Sequence, residues 1–127
     1  MLLLLIMTDN QFEKLKVWQV AHQLTLDIYK ITKNFPKDEK YSLVDQIKRS
    51  TSSIPANIVE GNERKTKKEY IQFLYNAKGS CAETKYHLFL SKDLGYLSLD
   101  DYQYLNNKTI EISKMLSSLI NYLRSDI

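Results

Sequence analysis

Apolar residues recur at spacings of three and four along most of the chain, which is the spacing of one face of an α-helix. This pattern predicts three helices, at about Lys14–Lys33, Asp38–Gly61 and Thr66–Leu94, and a fourth that begins at Ser98. No segment alternates apolar and polar residues as a half-buried strand would. Because the connections are short, successive helices should lie antiparallel. The chain is therefore predicted to be all-α, an up-down-up-down four-helix bundle.

Residues that favour helix ends stand at the predicted boundaries. Asn34–Pro36 should end the first helix, because the residue before a proline is pushed out of the α region. Residues 66–69 read as a capping box, and residues 98–101 repeat that signal. Gly61 and Gly95 are predicted to end the second and third helices, because glycine adopts the left-handed conformation at little cost.

Pro55 lies inside the second predicted helix, where it removes a backbone donor at a cost of about 3 kcal/mol. Two interpretations follow. Either Ser53 caps a new helix that starts at Ile54, or a single helix continues with a kink at the proline. The apolar and polar rows keep their phase across Pro55, which favours the kinked helix.

The third predicted helix carries two apolar rows, although a bundle helix needs only one. The core stripe consists of Tyr70, Leu74, Ala77, Cys81, His87 and Leu88, widened by Phe73. The second row, which we call the α3 row, consists of Tyr75, Gly79, Ala82, Tyr86 and Leu90. It lies about 140° round the helix from the first. Aromatic residues interleaved with small ones suit a closely approached surface, so we predict self-association through this row. The alternative is a solvated, tyrosine-rich face.

A polar ridge follows one face of the second helix. It consists of Gln46, Arg49, Ser53, Asn57 and Glu60. An antiparallel hairpin would bring this face opposite polar residues of the third helix, and we predict a structural network with Ser80 and Glu83. In that network Arg49 should approach Glu83, directly or through Gln46 and Ser80. The alternatives are a solvated face and a contact surface.

Positive charge is concentrated in the same part of the chain. The net charge is +3, but residues 46–68 alone carry six cations against two carboxylates, so the remainder sums to −1. The six cations are Lys48, Arg49, Arg64, Lys65, Lys67 and Lys68. Lysine and arginine beside a helix N-terminus suit phosphate oxygens. We therefore expect these six residues to contact the backbone of RNA or DNA; the alternative is a solvated charge run.

No pattern of catalytic residues is present. His22 and His87 are the only histidines, and neither belongs to a Glu-x-x-His pair or to a Ser/His/Asp set. The single Cys81 excludes an internal disulfide and a multi-cysteine zinc site, and it fits a reducing cytosol. We expect a cytoplasmic protein that is not an enzyme and holds neither a cofactor nor a metal.

The first residues form an apolar stretch, MLLLLIM, that is too short to cross a bilayer. We expect residues 1–11 to be an apolar, disordered extension, residues 12–127 to be a single domain, and the protein to lack a membrane anchor. Met1 and Met7 are both open as the start of the protein.

Three runs carry a resemblance to a known family: VWQVAHQL, NFPKDEKYSLVDQIKRSTSSIPANIVEGNERKTKKEY and FLYNAKGSCAETKYHLFLSKDLGYL. In these runs the chain resembles the 23S ribosomal RNA intervening-sequence proteins, also called the four-helix-bundle protein family, over nearly all of Phe12–Leu123. The resemblance implies a kinked four-helix bundle that assembles as a homopentamer. Relatives include the accessory variability proteins of diversity-generating retroelements, which resemble basic pentamers that bind nucleic acid and a reverse transcriptase.

Two hypotheses of function follow from these observations. The first is a non-enzymatic, homo-oligomeric, nucleic-acid-binding protein that uses the six cations named above. The second is an oligomeric scaffold that presents its surfaces to a protein partner and needs no nucleic acid. Neutralising Arg64, Lys65, Lys67 and Lys68 would abolish binding under the first hypothesis and leave partner capture intact under the second.

Overall fold

The computed structural model describes residues 11–125, which form four α-helices and no β-strand. The helices are α1 (Lys16–Ile31), α2 (Leu43–Asn62), α3 (Lys67–Asp93) and α4 (Leu99–Ser125). Each helix packs against the next, and α1 also packs against α4, which closes the bundle. The predicted four-helix bundle is thus confirmed. Apart from Gln11, which begins a short 3₁₀ turn, the predicted extension lies outside the described residues.

The core of the bundle is built from the predicted stripes. On α4, seven residues at alternating spacings of three and four are buried or half-buried: Tyr102, Leu105, Thr109, Ile112, Leu116, Leu119 and Leu123. On α3, four stripe residues are buried, namely Leu74, Ala77, Cys81 and Leu88. Tyr70, Phe73 and His87 border them and are half-buried.

Helix α2 begins later than the sequence suggested. Its first residue is Leu43, because Lys37–Glu39 forms a separate 3₁₀ turn where the helix start near Asp38 was expected. The Glu39 carboxylate accepts a hydrogen bond from the Leu43 backbone N–H at 3.4 Å and another from the Tyr96 hydroxyl at 2.8 Å. This side chain therefore joins the start of α2 to the connection between α3 and α4.

Helix α2 runs without a break through Pro55, as the single-helix interpretation predicted. Ser53 does not cap a new helix, because its hydroxyl donates to the Ser50 carbonyl at 2.9 Å and lies 2.5 Å from the Ser80 hydroxyl. Pro55 cannot donate to the carbonyl of Thr51, one turn earlier. The hydroxyl of Thr25, on α1, lies 3.5 Å from that carbonyl oxygen, but its shorter contact is with the Ala21 carbonyl, at 2.9 Å.

Gly61 does not end α2 in a left-handed conformation, so that prediction was wrong. The helix continues through it to Asn62, and within residues 11–125 only Gly95 has a positive φ, 81°. A Cβ atom on Gly61 would lie 2.8 Å from Cδ1 of Tyr70 and 2.9 Å from Cβ of Phe73. Glycine is needed here because α2 and α3 approach each other too closely for a side chain.

The remaining helix boundaries follow the predicted signals. The Thr66 hydroxyl accepts from the Glu69 backbone N–H at 3.1 Å and caps α3. Gly95, with its positive φ, ends the same helix. The Ser98 hydroxyl accepts from the Asp101 backbone N–H at 3.1 Å and caps α4 in the same way.

Candidate functional site

Four of the predicted cations gather at one end of the bundle, in the turn that joins α2 to α3. We call this group the basic turn; it consists of Arg64, Lys65, Lys67 and Lys68, all of them exposed. The end of α2 and the Thr66 cap of α3 hold the turn in place. Because the turn connects two well-packed helices, the backbone that carries its cations is held in place.

Arg64 is positioned by two contacts. Its guanidinium lies over the Phe73 ring, 4.5 Å from the ring centroid, and 4.0 Å from the carboxylate of Glu60. Both the arginine and the glutamate side chains are more than two-fifths exposed, so the ion pair is weak. The guanidinium is therefore oriented along the surface and remains available to an anion.

The N-terminus of α3 is already occupied by groups of the chain itself. The Thr66 hydroxyl, which accepts from the Glu69 backbone, also lies 2.9 Å from the Glu69 carboxylate. That carboxylate contributes a negative charge where the helix dipole would otherwise favour a bound anion. A phosphate at this end would be held mainly by lysine and arginine side chains.

The other two predicted cations, Lys48 and Arg49, do not join the basic turn. They stand about 20 Å along α2 from Gly61, at 1.5 Å per residue. The ammonium of Lys48 lies 4.8 Å from the centroid of the Tyr29 ring, and the Arg49 guanidinium bonds the Asp45 carboxylate at 2.9 Å. The six cations thus form two separate groups.

The predicted pairing of Arg49 with Glu83 is absent. Glu83 instead lies 3.3 Å from Nε2 of His87, while Arg49 pairs with Asp45. Both side chains find a partner four residues away on their own helix, which requires less chain ordering than a contact between helices. Of the other predicted network members, Gln46 and Glu60 are exposed, and the Asn57 amide donates to the carbonyl of Ser53 at 2.8 Å.

The contact between α2 and α3 is made by smaller groups, which we call the hydroxyl seam: Ser50, Ser53, Ser80 and Thr84. The hydroxyls of Ser53 and Ser80 are 2.5 Å apart, and the Thr84 hydroxyl donates to that of Ser50 at 3.0 Å. Ser50 and Thr84 are buried. Hydroxyls therefore make the polar contact between these helices, and among them Ser53 belongs to the polar ridge and Ser80 to the residues expected opposite it.

The α3 row is open in the single chain. Tyr75 is 43% exposed and Tyr86 60% exposed, Gly79 and Ala82 are exposed, and Leu90 is half-buried. No atom lies within 4 Å of the position that a Cβ on Gly79 would occupy. Glycine inside a helix costs about 1 kcal/mol relative to alanine. Within residues 11–125, no close contact explains the glycine at position 79, in contrast to Gly61.

Arg124 was not singled out from the sequence. Its guanidinium donates to the Tyr75 hydroxyl at 2.5 Å, from the last turn of α4 to the first turns of α3. The antiparallel arrangement of neighbouring helices is the signal that could have located it. It adds a further cation at the end of the bundle where α3 begins.

The two histidines and the cysteine pack against other residues of the bundle. His22 stacks on Trp18 with the ring centroids 4.8 Å apart, and the Nδ1 atom of His87 is buried without a hydrogen-bond partner. Burial raises the pKa of the Cys81 thiol to about 12, so it is neutral at physiological pH. Within the described part of the chain, no group of three or more His, Cys, Asp or Glu side chains is arranged to hold a metal.

Over residues 11–125, none of the helices combines the length and the apolar character that crossing a membrane requires.

Comparison with known proteins identifies the fold family. The family model described as 23S rRNA-intervening sequence protein matches residues 13–118. A similar solved structure is a protein of unknown function from the S23 ribosomal protein family, from Bacteroides thetaiotaomicron, with a TM-score of 0.77 and 30% sequence identity. The match covers 83% of this chain and 95% of the other. No curated protein matches the chain.

Proposed function

We propose that this chain, which belongs to the 23S rRNA-intervening sequence protein family, is a non-enzymatic homo-oligomer that binds the phosphate backbone of RNA or DNA. The observation that carries the proposal is the basic turn. Arg64, Lys65, Lys67 and Lys68 are exposed together at one end of a rigid bundle. Lysine and arginine side chains in this setting contact phosphate without reading sequence, so the protein should bind generic nucleic acid.

Self-association would multiply this charge. The α3 row supports it, because Tyr75 and Tyr86 present apolar surface around a glycine that has no role within the single chain. The resemblance described above implies a pentamer. In a symmetric assembly every copy presents its basic turn at an equivalent position, so one nucleic acid can contact several turns.

The nucleic-acid part of the proposal is tested with a neutralised turn. A variant carrying Gln at Arg64, Lys65, Lys67 and Lys68 should lose affinity for a labelled single-stranded RNA of mixed sequence. The slope of log Kd against log salt should also fall by about three, at about 0.7 per lost phosphate contact. The matched control carries Gln at Lys30, Lys33, Lys37 and Lys40, which lie at the opposite end of the bundle, and it changes the net charge by the same amount. Equal binding by the two variants would contradict the proposal.

The assembly is tested by sedimentation velocity at micromolar concentration. The native chain should sediment as an oligomer, and Tyr86→Ser should shift it toward the monomer. The control is Tyr122→Ser, because Tyr122 is also largely exposed, at 66%, but lies on α4 outside the α3 row. A native chain that sediments only as a monomer would refute self-association.

The second candidate function is a protein-interaction scaffold, and the open α3 row is the observation that favours it. Tyr75, Gly79 and Tyr86 suit a protein surface better than a phosphate backbone. Under this alternative, the neutralised basic turn would leave capture of the protein partner unchanged. Binding of generic RNA that barely changes between about 50 and 200 mM salt would also favour it, because phosphate contacts are steeply salt-dependent.

A further inference from the structure

A second cationic surface lies between α3 and α4, away from the basic turn. It is a groove of about 370 Å³, and we call it the lysine groove. Its walls include Lys78, Ala82, Lys85, Ile110, Ser113 and Lys114. Lys78 and Lys85 are seven residues apart on α3, so they stand two helical turns, or about 10.5 Å, apart along one side. Lys114 faces them from α4.

One cation of the groove, Lys78, has a neutral partner. The Lys78 ammonium donates to the Ser117 hydroxyl at 2.5 Å, and the Arg124 guanidinium donates to the Tyr75 hydroxyl at the end of the same α3–α4 face. Over residues 11–125, Lys78, Lys85 and Lys114 take no part in a side-chain ion pair within 4.0 Å. The positively charged residues that do form such pairs include Arg49, Arg64, His87, Lys92 and Lys108. The positive charge of this groove is thus not matched by an ion pair within the described residues.

Lys78 and Lys85 line the groove together with Cys81. Burial raises the pKa of the Cys81 thiol, and the charges of the two lysines act in the opposite direction. Two like charges facing one groove without a carboxylate between them repel each other. A bound anion would relieve this repulsion.

The spacing of the cations indicates the kind of anion. The helix positions of Lys78 and Lys85 are about 10.5 Å apart along α3, and Lys114 faces them from α4, so an anion that carries several charges along its length suits the groove better than a single phosphate or carboxylate. A chain of phosphodiesters carries repeated negative charges along its length and can contact several in turn. The groove also offers hydroxyls, from Ser113 and Ser117, which commonly contact phosphate oxygens.

We propose that the lysine groove is a second nucleic-acid site, in which Lys78, Lys85 and Lys114 bind consecutive stretches of one phosphodiester backbone. The inference rests on the proposed function and adds a surface to it. Ala82 borders the groove and also belongs to the α3 row. In an oligomer formed through that row, the groove of each copy would open beside the contact between copies. The strand would then follow the assembly from the basic turn along α3.

The test uses the full chain with Lys78→Gln, Lys85→Gln and Lys114→Gln combined. Glutamine keeps part of each aliphatic stem and removes the charge. Affinity for the labelled single-stranded RNA should fall about tenfold, and the slope of log Kd against log salt should fall by about two, at 0.7 per contact. The control combines Lys33→Gln, Lys37→Gln and Lys40→Gln, which are exposed and change the net charge equally. Circular dichroism and urea unfolding should show both variants folded.

The outcomes separate this inference from the proposed function. If the native chain binds RNA and the groove variant binds as tightly as the control, the inference is wrong and the basic turn remains the proposed site. If the groove variant changes the sedimentation of the protein without changing RNA affinity, the groove is a contact between copies and the inference is again wrong. A native chain that binds no RNA overturns both. If the groove variant loses RNA binding and the neutralised basic turn does not, the lysine groove is supported as the RNA site and the basic turn is ruled out.

Discussion

Helix α3 forms two seams with its neighbours, and the seams use polar residues in opposite ways. Against α2, the hydroxyl seam joins serine and threonine side chains to one another, and Gly61 allows the backbones to approach closely. Against α4, long lysine side chains line an open groove. Small polar groups with partners in the chain hold helices together. Lysine side chains that no carboxylate pairs leave charge available to a ligand outside the chain.

The largest effect that we expect concerns the floor of the lysine groove. Cys81 is 1% exposed, and burial raises the pKa of its thiol to about 12. Because of this pKa, the thiolate population at about pH 8 should be about a thousandfold smaller than that of an exposed cysteine. Only the thiolate reacts with an alkylating reagent. Alkylation should therefore be at least about a thousandfold slower in the native chain than in urea, because burial also limits access to the thiol. It should accelerate about tenfold per pH unit up to the pKa.

A native alkylation rate close to the unfolded rate would mean that the groove reaches the core. The comparison between the two seams would then fail, because the groove would be a gap in the packing and not a surface feature. The urea-unfolded chain is the internal control, since Cys81 is the only cysteine.

The next effect is at the close approach of α2 and α3. Gly61→Ala should destabilise the fold by about 1–3 kcal/mol, because the added methyl group would overlap Tyr70 and Phe73. The Cβ of Phe73 cannot move without moving α3. Urea unfolding should report this as a lower midpoint with an unchanged m-value. A stability equal to that of the native chain would show that the helices can separate at no cost.

The hydroxyl seam should contribute about 1 kcal/mol through its buried pair. Thr84→Val keeps the shape of the side chain and removes the hydrogen bond to Ser50. Urea unfolding of Thr84→Val, Ser50→Ala and the double variant gives a double-mutant cycle, in which the interaction energy isolates the pair. An interaction energy of zero would mean that the hydroxyls are only neighbours.

Gly79→Ala is the change on the opposite side of α3 that matches Gly61→Ala, and it should alter the stability of the fold in the opposite direction. Open space surrounds the site, so alanine should stabilise the monomer by up to about 1 kcal/mol through helix propensity. If copies meet at the α3 row, the same substitution should lower the fraction of the protein that sediments as an oligomer. Stabilisation without any change in assembly would separate Gly79 from the proposed interface.

Much of this fold could be predicted because its signals are local. The spacing of three and four located the four helices, and Thr66 and Ser98 marked two helix starts by capping. The continuous helix at Pro55 followed from the phase of the rows on either side of it. The first residues of α2 could not be placed, since a 3₁₀ turn at Lys37–Glu39 uses the same acidic residues that favour an α-helix start.

The candidate site was less predictable, because it depends on which partners the charged residues choose. Arg49 and Glu83 were expected to meet across α2 and α3, but each pairs within its own helix. The role of Gly61 depends on the distance between two helices, which the sequence does not state. The lysine groove was missed for a simpler reason: Lys78, Lys85 and Lys114 are dispersed in sequence, and only the packing of α3 on α4 gathers them.

Glu39 gives the bundle two mechanically different ends. Its carboxylate connects the start of α2 to Tyr96, which is 57 residues further along the chain, so two loops are fastened as one unit. The turn of Arg64–Lys68, at the far end, is held through the ends of α2 and α3. An incoming strand should therefore meet cations on a turn that the helix ends alone hold in place, while the fastened end keeps the helices in register.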